Sequence, residues 1–398
     1  MSMTSSGRVA ALDAFRGLTV AFMILVNWPG SEADAYWPLL HSPWDGWTPT
    51  DLVFPFFVFI SGVSAWFSFK KYGHLLTGGA FCKVVRRTIL IFLVGLLLNM
   101  FPFCHIDWIT MKVTPTMTEP EFWENLRILG VLQRIALAYG LGVFLCLVFR
   151  GKMKSIGGVA GLLLLLYWVV FYVIPDESAP LALETNIARK VDLWTLGAAH
   201  LYHGELYHGI AFDPESLLGT ISAAATVMIG FMVGKAIDPE ENGDFSADPD
   251  FPVIGDTSIA KILLASSFLL TLSWLWSFWL PINKPLWSST YVTFTAALAM
   301  IFLAWFIWFL DVKRHTLLAK PLVVFGVNPL FLYVLAWCLY DTFMQWLFTR
   351  QDYVDFYHGV LIPHIGPGGA SLAVGLAFVF AVWLVGCFLS LCRIYIRL

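Results

Sequence analysis

The chain has 398 residues, 59% of them hydrophobic and only 13% charged, with a formal net charge of -3; its mean hydropathy is +0.75. A soluble domain carries roughly 25% charged residues, so this much apolar surface calls for lipid as its solvent. The near-neutral balance also argues against a nucleic-acid partner, which would require a clustered basic face.

A membrane crossing takes about 20 apolar residues. About ten stretches qualify in chain order: Val9–Trp28, Asp51–Phe69, Val85–Phe103, Leu126–Phe149, Ile156–Ile174, Leu217–Val233, Ile259–Leu280, Trp287–Leu310, Leu322–Phe348 and Ser371–Leu391. They predict an all-α polytopic helix bundle in which residues 1–398 form a single transmembrane domain. The first stretch holds Asp13 and Arg16 and no cleavage signal follows it, so it reads as a retained span and not a signal peptide. With the N-terminus inside, sixteen Lys and Arg fall on the inner side and six outside, which predicts both termini cytoplasmic. His41, His105, His200, His203, His208, His358 and His364 then face outward, while His74 and His315 face inward. The six cysteines show no metal-ligand spacing. They read as small apolar residues, and no metal is expected.

Polar groups stand out against this background. Asp13 and Arg16, three residues apart, fall on one helix face and can pair. Asn27 closes the first span in "LVNWPGS", where a buried amide must find partners; it reads as a cap or as a side chain aimed at a cavity. His41 opens "HSPWDGWTPTDLVF", a connection crowded with Trp44 and Trp47 after Trp37. Thr48-Pro49-Thr50-Asp51 fits a helix start with Asp51 reaching back to the cap, and Pro55 withholds an amide from the Asp51 carbonyl. Asp51 is thus a cap, a partner for His41, or both.

Arg134 lies within a span, where a cation normally lines a cavity or meets an acid, with Arg127 expected two turns earlier on the same face. "FDPESLLGT" sets Asp213 and Glu215 at a span entrance, as helix-dipole partners or as partners for an arginine or a substrate amine. Lys284 sits in the outer turn "INKPLW". Asn328 precedes Pro329 inside a span, which implies a broken helix beside something polar. On the inner side Lys83, Arg86 and Arg87 form a basic rim, which topology alone would explain.

The strings "LDAFRGLTVAFMILVNWPG", "HSPWDGWTPTDLVFPFFVFISG", "RILGVLQRIALAYG", "FDPESLLGT", "INKPLWSSTYV" and "GVNPL", in this order, resemble the heparan-alpha-glucosaminide N-acetyltransferase family over nearly the whole chain. The chain looks like a bacterial member without the animal enzyme's additional lumenal portion. The resemblance implies a multi-pass protein of the bacterial inner membrane that moves acetyl from cytoplasmic acetyl-CoA to an amino sugar or glycan amine outside. It implies His41 as the active histidine and Asn27 as the active-site asparagine. The residues agree: an imidazole can take the amine's proton or carry the acetyl itself, Asn27 can donate to an oxyanion, and Asp51 can orient the ring. Arg134, Arg127, Asp213, Glu215, Lys284, Asn328 and Trp44 are the expected substrate contacts, and Lys83, Arg86 and Arg87 the expected holders of the CoA phosphates. A homodimer is compatible with the sequence. The rival reading is an inner-membrane amino-sugar (N-acetylglucosamine) transporter, which the helix break beside an intramembrane arginine would suit.

Overall fold

The structure, a computed structural model, describes residues 10–107, 112–173, 179–202, 207, 209–242 and 255–396. His203, His208, Arg8 and Arg397 lie outside the described residues. The main helices are α1 (Ala10–Asn27), α2 (Val53–Phe69), α3 (Gly78–Met100), α4 (Val131–Val148), α5 (Met153–Val173), α6 (Ile187–Thr195), α7 (Gly219–Ala236), α8 (Asp256–Trp276), α9 (Ser289–Phe306), α10 (Thr316–Val327), α11 (Pro329–Leu339) and α12 (Ile362–Leu391). Among the described residues nine helical segments are long and apolar enough to cross a membrane. The 23-residue α3 is long enough too, although Lys83, Arg86 and Arg87 occupy its first half. It runs antiparallel to α4, with Gly95 against Gln133 and Thr88 against Gly140. The protein is an all-α polytopic membrane protein, as composition predicted.

Its centre is the pair α2 and α7. The backbones meet at Gly62 and Gly230, where an added Cβ would stand 2.1 Å from the carbonyl oxygens of Val227 and Phe59 respectively. Small residues allow such approach in lipid, where packing replaces the hydrophobic drive between helices. On the periphery, Leu264 and Phe268 of α8 are 72% and 66% exposed, as lipid-facing side chains should be. Near the N-terminal end of α1, Arg16 binds Asp13 at 3.0 Å and reaches Ser64 of α2 and the Gly326 carbonyl, so the expected pair forms and also ties three helices together.

Two elements depart from expectation. The predicted span Leu126–Phe149 becomes helical only at Val131. The preceding residues are held extended, because Asn99 donates to the carbonyls of Arg127 and Leu129 and the Ile128 amide bonds to the His200 carbonyl. Arg127 therefore does not share a helix face with Arg134. Between α3 and α4, Cys104–Asp107 pairs antiparallel with Lys112–Pro115, a hairpin that the apolar pattern did not signal. The break that the Asn328–Pro329 pair implies within the span Leu322–Phe348 does form, at Asn328 (φ -125°, ψ 51°), between α10 and α11.

Candidate active site

The connection from α1 to α2 carries the imidazole. Trp37–Leu39 forms a single helical turn, and the chain then runs extended through His41 to a second turn, Pro49–Leu52, which leads into α2. Asp45 pairs with Asn283 across an isolated bridge, and the Gly46 amide donates to the Ile282 carbonyl at 2.8 Å. Gly46 has φ +97°, a conformation that a side chain would resist. The buried Asn283 side chain donates to Asp45 and accepts from the Leu286 amide. This latch clamps the His41 connection to the segment that carries Lys284.

The clamp brings three charged groups into contact. Asp51 Oδ1 lies 2.7 Å from His41 Nδ1 and 3.2 Å from Lys284 Nζ. Lys284 Nζ lies 2.9 Å from His41 Nδ1 and 3.4 Å from Nε2. The second carboxylate oxygen, Oδ2, accepts from the amides of Ser42 and Thr48, both at 3.0 Å. Both sequence readings of Asp51 therefore hold together: one oxygen caps the turn and the other faces the imidazole. The carbonyl freed by Pro55 has a partner as well, the hydroxyl of Tyr291 in α9.

Asp51 is fully buried, whereas the His41 side chain is 35% accessible, so the ring is oriented from behind and open in front. Burial and the Lys284 ammonium push the His41 pKa below its ordinary value, and Asp51 pulls the other way. Burial likewise lowers Lys284, against the attraction of Asp51 and Glu215. The neighbouring tryptophans pack around this connection: Trp44 donates to the Leu181 carbonyl and lies edge-on to Tyr207 and Phe212, while Trp47 rests on Phe294. Trp44 thus anchors the connection to the outer segment.

The arginines and acids have a different arrangement from the one expected. Arg127 forks onto Asp213 at 2.9 and 2.8 Å and reaches Glu215 at 2.6 Å. Burial and Asp213 push the Glu215 carboxyl up, and Arg127 pulls it down. Arg134, 1% exposed, donates to the backbone carbonyls of Pro214, Ser216 and Gly219 at 3.1 to 3.3 Å and lies over the Trp287 ring. It holds the strand of chain that presents Asp213 and Glu215 and contacts neither acid. Arg127, Asp213 and Glu215 thus form one ion-paired cluster, and Arg134 binds the backbone that carries the two acids.

Asn27, the last residue of α1, is exposed and its side chain makes no hydrogen bond among the described residues, so the His41 network does not include it. Asn328 is far from that network along the fold. Its amide donates to the Ile394 carbonyl and accepts from the Ile396 amide, two residues after the Gly326 carbonyl that binds Arg16. That is the opposite end of α1 from His41. At the basic rim, Lys83 binds Ser68 and lies over Phe69, Arg87 lies over Tyr139, and Arg86 is exposed. All six cysteines are free. Among the described residues no group of His, Cys, Asp and Glu could hold a metal ion.

Sequence reasoning placed Lys284 among substrate contacts and missed its contact with His41, 243 residues distant. A lysine in a short turn carries no local sign of such a partner.

The fold and this cluster together define a polytopic membrane protein with an oriented imidazole at the entrance to its helix bundle. No family model matches the chain. It is similar to heparan-alpha-glucosaminide N-acetyltransferase of Mus musculus, with 28% identity over 381 residues that cover 83% of this chain and 53% of the mouse protein. The human protein of the same name matches at 28% over 371 residues, 82% of this chain and 52% of its own length. The chain spans about half the length of these curated relatives.

Proposed function

We propose that this chain transfers an acetyl group from acetyl-CoA to the amine of an amino sugar, with His41 at the reacting centre. The observation that carries the reading is the 2.7 Å contact between His41 Nδ1 and Asp51 Oδ1, joined to the partial accessibility of the ring. A carboxylate can only accept, so the shared proton belongs to Nδ1 and the Nε2 lone pair is left for chemistry.

As a base, Nε2 takes the proton of the amine while its nitrogen attacks the thioester carbon; the carbon–sulfur bond breaks and the thiolate leaves to be protonated. As a carrier, Nε2 first takes the acetyl from sulfur and then yields it to the amine, in two steps of the same balance. The exposed Asn27 amide is the proposed oxyanion donor, an interaction of roughly 3 kcal/mol where geometry is met. The donor enters from the cytoplasmic side, where both termini lie, and Arg86 with its neighbours Lys83 and Arg87 receives the CoA phosphates. The acceptor approaches from outside. The proposed setting is a bacterial inner membrane.

The transporter reading loses its main support at Asn328. The helix break that suggested a solute path is occupied by the C-terminal segment, which takes both ends of that amide.

Purified protein in nanodiscs, given labelled acetyl-CoA and glucosamine, tests the proposal. Wild type transfers label, and His41→Ala loses transfer by at least about a hundredfold, the usual contribution of general acid–base catalysis, with CoA binding retained. Full transfer by His41→Ala, or accumulation of N-acetylglucosamine in liposomes by a wild type that binds no CoA, overturns it.

A further inference from the structure

Lys284 is the residue whose position the proposed chemistry does not yet explain. It lies within 3.4 Å of both ring nitrogens of His41 and 3.2 Å from the oxygen of Asp51 that faces the ring. Its side chain is only 17% accessible. Because the Nδ1 proton points to Asp51, an ammonium cannot donate to Nδ1 as well; its nearer acceptor is Asp51 Oδ1 at 3.2 Å, which it shares with the imidazole, and the Nε2 lone pair lies at 3.4 Å.

That sharing has a consequence. A carboxylate against an imidazole, left alone, favours the doubly protonated ring, which has no lone pair to act with. A cation beside the same carboxylate opposes this. The charged groups that face His41 are Asp51, Lys284 and, at longer range, Glu32. Those that face Lys284 are Asp51 and Glu215, and Glu215 is already bound by Arg127.

We propose that Lys284 is a positioning residue for acetyl transfer: by sharing Asp51 Oδ1 it lets the carboxylate fix the His41 ring and tautomer without turning the ring into a cation. The inference rests on the acetyltransferase reading for its purpose, while its physical content concerns His41 alone. The latch between Asp45 and Asn283 is what delivers this lysine from the turn before α9. The direction of the His41 shift, with burial and Lys284 lowering it against Asp51, agrees with the geometry.

The test compares wild type, Lys284→Met, Lys284→Gln and Lys284→Arg. The acidic limb of kcat/KM for transfer to glucosamine moves up by about one pH unit in the Met and Gln variants, the size expected when a like charge is removed from within a few ångströms. The Arg variant keeps the wild-type limb. The His41 imidazole, followed by NMR in histidine-labelled protein, titrates higher in the Met and Gln variants by the same amount. A wild-type limb and titration in Lys284→Gln, whatever its kcat, would overturn the inference. A wild type that transfers no acetyl, with the NMR shift present, would instead remove the acetyltransferase reading and leave the charge arrangement standing.

Discussion

Replacing Arg134 by Met separates a structural clasp from a substrate contact. The guanidinium donates to three backbone carbonyls within residues 214–219. Methionine fills similar volume and donates nothing, so three buried acceptors lose their charged partner. Each such bond contributes about 1.5 kcal/mol or more, and losing a buried guanidinium's own desolvation cost returns part of that. A net loss on the order of 3 kcal/mol follows. Divided by an unfolding entropy of roughly 2.1 cal/mol/K per residue, this lowers the unfolding midpoint by about 4 °C. Thermal unfolding in detergent, beside transfer assays well below the midpoint, reads both quantities. The expected result is a lower midpoint with transfer per folded molecule reduced less than tenfold. An unchanged midpoint with transfer abolished would refute the reasoning and return Arg134 to the substrate.

Two further outcomes are expected. Asp192 in α6 is fully buried and its Oδ2 has no partner, and burial, with Asp213 nearby, pushes its carboxyl up to about 7. A carboxyl raised in the folded state binds more protons than in the unfolded chain, so its contribution to stability is complete below about pH 4 and is lost as pH rises to about 7. Asp192→Asn should therefore unfold several degrees higher than wild type at pH 8 and alike at pH 4; equal midpoints at both pH values would discard this reading. At the basic rim, Arg86→Ala should weaken CoA binding by about fivefold, as loss of one exposed ion pair does, with a shallower salt dependence in calorimetric titration. Unchanged affinity would remove Arg86 from the donor site.

Much of this was legible locally. Apolar length located the crossings, because lipid leaves a chain few alternatives to helices. The Thr48–Asp51 start, the Asp13–Arg16 pair and the release of the Asp51 carbonyl by Pro55 follow from spacings of three or four residues, which the backbone enforces. Rotation about a helix axis and long-range partners were not legible. Arg127 and Arg134 share a face only if the chain is helical between them, and Asn99 prevents that by capturing the carbonyls on the way. Asn328 looked like a site residue because a polar break in a span must be satisfied; what satisfies it is the chain's own C-terminal segment. Lys284 carried no pattern at all, since its meaning comes from a latch between two distant loops.

Asp51 divides its two oxygens between a turn and an imidazole. Loop shape and ring basicity are therefore not separately adjustable in this protein. A change that lengthens or tilts the turn before α2 also rotates the carboxylate, and with it the tautomer and reach of His41. Sequence drift around residues 42–50 would register first as altered reactivity, well before any loss of helix insertion.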